Sequence, residues 1–230
     1  MPNDADYPSK PGCISRILSF IVTIALIGTA VTLYFAAQPQ DLSALKAAAS
    51  QNLPDAPREM KEVLQNAIGR GYPVSLTETQ INQWLSRTLV GTQGGPLKLD
   101  ASFKGVWVKL DENVAEIIME REVMGYMLTT SMFLQIEKHE GVEGTHTMII
   151  LDGGPFHPSV PKPPRGGRFG QLTVPQGFLI LLMPAYEKLA TLFAEEIDLG
   201  FREMASIKIE KGKVTLDPRH RPGPDALLPE

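Results

Sequence analysis

The spacing of apolar and polar residues changes character several times along the chain. From Ile17 to Gln40 no residue is charged, and ISRILSFIVTIALIGTAVTLYFAAQ is almost wholly apolar. At about 1.5 Å of rise per residue, a helix of this length covers a hydrocarbon core of roughly 30 Å. The apolar run exceeds a signal-peptide h-region of about 7–15 residues, and no small-x-small site follows it. Cleavage after Ala37 would leave Phe35 at −3, and Cys13 precedes the run, so it does not fit a lipoprotein signal. The expectation is an uncleaved anchor over 17–40. Lys10 and Arg16 flank its N-terminal side, while Asp41 is the first charge beyond it. The positive-inside rule therefore places residues 1–16 in the cytoplasm and the main domain outside the inner (cytoplasmic) membrane. Ala25, Gly28, Thr29 and Thr32 present small residues through which anchors could associate, with one another or with other membrane proteins.

Beyond the anchor, DLSALKAAAS continues as a short stalk helix within a linker over 41–56, interrupted by Pro54 and Pro57. Met60, Val63, Leu64, Ala67 and Ile68 recur at helical spacing, predicting a helix over 57–68 with Gly69 as its stop. In VSLTETQINQWLS, Thr77 and Gln80 form a T-x-x-Q capping box, and Ile81, Trp84, Leu85 and Leu89 share one helical face. Capping explains why a helix starts there; it leaves Asn82 and Gln83 unexplained.

From 102 the period becomes two. Val106, Val108 and Leu110 share one face of a strand, and VAEIIMEREV returns after a turn at 111–113. A third strand carries Tyr126, Leu128, Met132, Leu134 and Ile136 on one face, and THTMIIL is a fourth. The Pro/Gly-rich run 155–170 is expected to be an irregular loop. Leu182, Tyr186, Leu189, Phe193 and Ile197 then predict an amphipathic helix over about 177–203, which Pro184 starts or kinks. SIKIEKGKVTLD closes as a hairpin, and 218–230 reads as a disordered tail. Helices and strands are segregated, which predicts an α+β domain over 57–217 built on an antiparallel sheet.

Composition narrows the function. The 230 residues carry a net charge of −4, which gives no basic footprint for nucleic acid. One cysteine forbids an intrachain disulfide, and no phosphate loop, nucleophile elbow or zinc-protease motif occurs. No catalytic residue, cofactor or metal site is assigned. The histidines at 139, 146, 157 and 220 are read as surface or singly bonded groups, and Glu116, Glu120 and Glu122 as a solvated outer row of the sheet.

Leu76, Thr77, Glu78, Ile81, Asn82 and Leu85 match an L-T-E-x-x-I-N-x-x-L phrase, Gly170, Leu172, Val174 and Pro175 match G-x-L-x-V-P, and IKIEKGKVTL closes the domain. In these words and their order the chain resembles small membrane-anchored bacterial proteins of the tubular lipid-binding (TULIP-like) superfamily, of the YpmS-like and YceB-like kind. The resemblance covers roughly 57–217 and implies a curved antiparallel sheet wrapped around a long amphipathic helix. It also implies an apolar groove that binds lipid acyl chains, without catalysis. Trp84, Leu85, Val106, Val108, Leu134, Leu182, Tyr186, Leu189 and Phe193 either line such a groove or form a closed core; the same residues serve both. Lys162, Arg165 and Arg168, in the Pro/Gly run, are candidates for lipid headgroup contact. Two functions fit: an anchored domain that binds lipid or another apolar ligand, or an accessory subunit of a membrane complex with no ligand of its own.

Overall fold

The computed structural model describes residues 13–51, 59–91, 102–141 and 144–219. The expected cytoplasmic segment up to residue 12, residues 52–56 of the linker and the tail from 220 lie outside the described residues. The fold is mixed helix and sheet. Helix α1 (Cys13–Ala37) is the apolar N-terminal helix, long and apolar enough over Ile14–Ala37 to cross a membrane, and none of that stretch is buried in the protein. Two helices follow, α2 (Ser43–Ser50) and α3 (Met60–Arg70). The expected stop at Gly69 is instead at Gly71, whose φ of 63° lets Tyr72 N–H return to the carbonyl of Ala67. The capping box forms: Thr77 N–H donates to Gln80 Oε1 at 2.9 Å and Gln80 N–H to Thr77 Oγ1 at 3.2 Å. It joins β1 (Val74–Thr77) to α4 (Glu78–Gly91).

The large antiparallel sheet runs β2 (Ser102–Asp111), β3 (Val114–Val123), β4 (Tyr126–Gly141), β7 (Val160–Phe169) and β6 (Pro155–His157). The edge of β4 is shared. Thr130–Met132 pair with β7, while Gln135–Gly141 pair with β5 (Gly144–Ile150), where His139 stands opposite His146. Strand β8 (Leu172–Pro175) lies beside β7. A second sheet, β1–β10–β9, joins β1 to the closing hairpin of β9 (Ser206–Glu210) and β10 (Lys213–Asp217).

The Pro/Gly run is thus not an irregular loop but two strands. Its prolines fall in the part of β7 that meets only the short β6, where Pro155 opposes Pro164 and neither has an amide hydrogen to offer. Its glycines are a packing requirement. A Cβ on Gly167 would collide with the carbonyl oxygen of Ser131 in β4, and one on Gly166 would lie 2.5 Å from Gln176 Cα. The C-terminal helical stretch is segmented into a 3-10 turn (Gln176–Leu181), α5 (Met183–Leu192) with Pro184 in its first turn, and α6 (Ala194–Arg202), with a break at Phe193.

One face of the large sheet and helices α3–α5 enclose the main core, which contains Leu64, Leu85, Val106, Met119, Met132 and Leu189. Tyr126, expected on that face, instead sits at the β3–β4 turn and is 75% exposed.

Candidate functional site

The nine apolar residues are brought together, but as packing partners. All except the half-buried Leu134 are at most 8% exposed and belong to one contiguous cluster. The Trp84 and Phe193 rings meet at 5.0 Å between centroids. The Tyr186 hydroxyl lies 3.0 Å from the carbonyls of both Ile117 and Thr130, which share its one proton, and so pins α5 to β3 and β4.

Asn82 and Gln83 are both 1% exposed. Asn82 Nδ2 donates to the carbonyl of Val108 at 2.7 Å, and Val108 N–H donates to Asn82 Oδ1 at 2.7 Å. One turn earlier, Glu78 Oε2 accepts Leu110 N–H at 2.7 Å. Helix α4 therefore closes the free edge of β2 with side-chain amide and carboxylate groups, as a neighbouring strand would. Gln83 donates to the carbonyl of Gln51 and so ties α4 to the segment that leaves the anchor.

The other face of the sheet was expected to be solvated. It is covered. Glu116 and Glu120 are 5% and 7% exposed, and Thr129, Ser131 and Phe133 are buried beside them. Over Glu120 and Thr129 the cover is the segment 38–50, read from the sequence as a stalk, which here straps across the strands. Gln40 N–H donates to Thr129 Oγ1 at 2.8 Å, Leu42 is buried, and Lys46 Nζ pairs with Glu120 at 2.6 Å while sitting 5.9 Å above the Trp107 ring. Its start is fixed to the β7–β8 turn. Gln171 N–H donates to the carbonyl of Phe35 at 3.1 Å, and Gly170, at φ 55°, lies where a Cβ would strike the carbonyls of Phe35, Ala36 and Gln38. The last turn of the apolar helix and the domain are thus in direct contact. Alternation along β3 signals a row of carboxylates; only the pairing of distant segments decides that the row is buried.

Farther along this face a cleft of about 250 Å³ is lined by Lys109, Asp111, Glu112, Glu116, Phe133, Arg165 and Arg168, among others. Ser131 Oγ donates to Glu116 Oε1 at 2.6 Å, and Arg168 Nε stands 3.6 Å from the same carboxylate. Arg165 donates to the carbonyl of Gly153, and both guanidinium groups lie about 5.5 Å from the Phe133 ring centroid, at 5.5 and 5.6 Å. Of the three cations considered for headgroup contact, Arg165 and Arg168 share this cleft, whereas Lys162 is exposed in the proline-bearing half of β7. The cleft opens on the β2–β3 turn, four strand positions from the level of Thr129, where the anchor docks. Its charges balance, three cationic against three anionic, so it is not an anion trap by field alone.

On the core face, Arg121 is half-buried, and its guanidinium contacts the Met119 sulfur at 2.8 and 3.1 Å; desolvation lowers its pKa. Among the described residues, no group of three or more His, Cys, Asp or Glu is placed to hold a metal ion. The helix hydroxyls of Thr29 and Thr32 bond back to the carbonyls of Ala25 and Gly28.

A comparison with protein-family models finds no match, and a comparison with curated protein sequences finds none either.

Proposed function

We propose that the protein is a single-pass membrane protein whose α+β domain stands outside the cytoplasmic membrane as a non-catalytic accessory module, held in a fixed attitude to its anchor. The observation that carries this reading is the junction itself: the end of α1 bonds to the β7–β8 turn, and the strap continues across three strands through Gln40, Leu42 and Lys46. A tethered binding domain needs only a flexible linker of polar or small residues. A junction with directional hydrogen bonds and a buried leucine suits a component that must present one surface to a neighbouring membrane protein. Packing of the nine core residues on one another ranks this reading above a lipid carrier, for which the TULIP-like resemblance remains the support.

The test is a distance distribution in the full chain reconstituted in nanodiscs. Spin labels at Leu26→Cys and Lys211→Cys, in a Cys13→Ser background, should give one narrow distribution. A broad one would remove the fixed junction and leave a tethered domain. Native mass spectrometry of the same chain should show the bare protein mass; one retained lipid per chain, lost in Leu189→Asp, would move the assignment to lipid binding.

A further inference from the structure

The anchor's point of contact identifies which end of the domain lies nearest the bilayer. Thr129 in β4 receives Gln40 N–H on its side chain and Gly170 N–H on its carbonyl at 2.7 Å, while Gln171 binds Phe35 in the last turns of α1. Strand β4 begins only three residues before Thr129, at Tyr126, so the β3–β4 turn lies about 10 Å from that contact at roughly 3.4 Å per residue. The headgroup region adds about 5–8 Å to each side of the hydrocarbon core. The turn is therefore at most a few ångströms beyond the headgroup layer when the sheet tilts away from the bilayer, and inside that layer when it tilts toward it.

What the turn carries is unusual for a water-facing hairpin. Val123 pairs with Tyr126 around the two-residue loop Met124–Gly125, with φ of 52° and 81°. Asn or Asp fits the first position of such a turn, since their short polar side chains tolerate positive φ; an unbranched apolar residue there costs about 1 kcal/mol. Met124 is nonetheless the residue present, 93% exposed, with Tyr126 75% exposed behind it. Among the described residues, no packing on Met124 offsets the strain. Other exposed apolar residues lie elsewhere: Phe178, Ile180 and Leu181 are on the 3-10 turn that follows the far end of β8, where Leu179 lies against Gly166 and Gly167, Met148 and Ile149 are on β5, and Phe156 and Val160 are at the β6–β7 turn.

We propose that the β3–β4 turn is a membrane-inserting tip: Met124 enters the edge of the hydrocarbon and Tyr126 lies at headgroup level, its apolar ring inward and its hydroxyl in the polar layer. The occupant is the phospholipid bilayer that α1 itself crosses, and the inference rests on that reading of α1. Two attachments, the helix and the tip, would fix the tilt of the domain as well as its distance from the surface. Aromatic residues favour this level of a bilayer because they have one apolar and one polar end.

The experiment uses the full chain with Cys13→Ser, an environment-sensitive fluorophore on Met124→Cys, and vesicles of three parts phosphatidylcholine to one part phosphatidylglycerol. Lys211→Cys, on the turn whose Gly212 contacts Leu110 at the opposite end of the domain, is the water control, and Leu26→Cys in the middle of α1 is the membrane control. The expected result is blue-shifted emission at Met124→Cys, with quenching by shallow spin-labelled lipid at least threefold greater than at Lys211→Cys. Tyr126→Cys should behave likewise, and both positions are exposed, so neither label disturbs the core. Equal iodide quenching at Met124→Cys and Lys211→Cys, with Leu26→Cys in lipid, overturns the tip and leaves the anchor standing. Exposure of Leu26→Cys to iodide overturns both.

Discussion

Asn82 and Val108 hold each other by two hydrogen bonds of 2.7 Å, one in each direction. This pair answers what the Asn in the helix is for: it supplies one residue's worth of strand pairing to the edge of β2. A buried amide whose partners are a donor and an acceptor cannot be removed without stranding both. Asn82→Ala should therefore cost about 2–4 kcal/mol in a urea titration, the sum of two unsatisfied backbone groups. Glu78→Ala, which removes a half-buried carboxylate and frees only the Leu110 N–H, should cost about 1 kcal/mol. Because an opened strand edge is a template for pairing, Asn82→Ala should also self-associate in sedimentation, whereas Glu78→Ala should remain as dispersed as the parent.

Gly167 has no room for a methyl group. Its backbone crosses β4 at Ser131, in the register Ser131–Arg168 and Met132–Gly167, so an added Cβ must push β7 away. Gly167→Ala should destabilise by about 2–3 kcal/mol, as overpacked sites do. Gly177, with open space around it, is the matched control, and Gly177→Ala should change the urea midpoint by less than about 0.5 kcal/mol. Equal effects at the two positions would mean that the contact of β7 with β4 is looser than the structure has it.

At Gly170 the same reasoning concerns the anchor. Its φ is 55°, and its α-carbon faces three carbonyls at the end of α1. Gly170→Ala should loosen the strap while leaving the sheet folded. Amide exchange at 38–50 should then rise at least tenfold, with the centres of β3 and β4 unchanged. Lys46→Ala removes an ion pair whose lysine is 44% exposed; it should raise exchange in the same segment by less than tenfold, in keeping with under about 1 kcal/mol for a solvent-screened pair.

Arg168 faces a carboxylate that is nearly out of contact with water: the Glu116 side chain is 6% exposed against 32% for Arg168. Removing the cation leaves Glu116 with Ser131 as its hydrogen-bond donor. Arg168→Met should destabilise by about 1–2 kcal/mol, and Glu116→Gln in the same chain should recover most of it, because the amide needs no counter-charge. A deficit that Glu116→Gln leaves untouched would assign the role of Arg168 to its stacking on Phe133 rather than to charge.

Local chemistry explains which features could be read along the chain. The apolar helix, the capping box and the alternation of Val106, Val108 and Leu110 depend on residues within a few positions of one another, and all appear as expected. The proline-rich strand did not, because Pro opposes regular structure only where an amide hydrogen is wanted, and β7 places its prolines where none is. Burial of Glu120 was equally hidden, since Lys46 reaches it from the segment 38–50 across some seventy positions of sequence, and Glu116 is enclosed by Ser131 of β4 and Arg168 of β7. The core positions were identified by type, but whether they enclose a groove depends on how closely two elements approach, which no periodicity records.

Tyr186 links that core to a pH dependence. Its hydroxyl is bonded to two strand carbonyls and surrounded by apolar side chains, and desolvation raises its pKa from the ordinary 10.0. A raised folded-state pKa means that the contribution to stability is fully present below the unfolded value and is lost as pH rises toward the folded one. Between about pH 10 and 11 the protein should therefore lose up to roughly 1.4 kcal/mol on account of this residue, because the unfolded chain ionises and the folded one does not. Tyr186→Phe gives up this shared hydrogen bond and should be about 1 kcal/mol less stable at pH 7. Its stability should then fall less steeply than the parent's above pH about 10, so that the two urea midpoints converge. The phenolate absorbance of the folded parent should show one tyrosine that ionises only on unfolding, and that step should be missing in Tyr186→Phe. Parallel midpoint curves for the two proteins would show that the hydroxyl reaches water, and with it that the core around α5 is open.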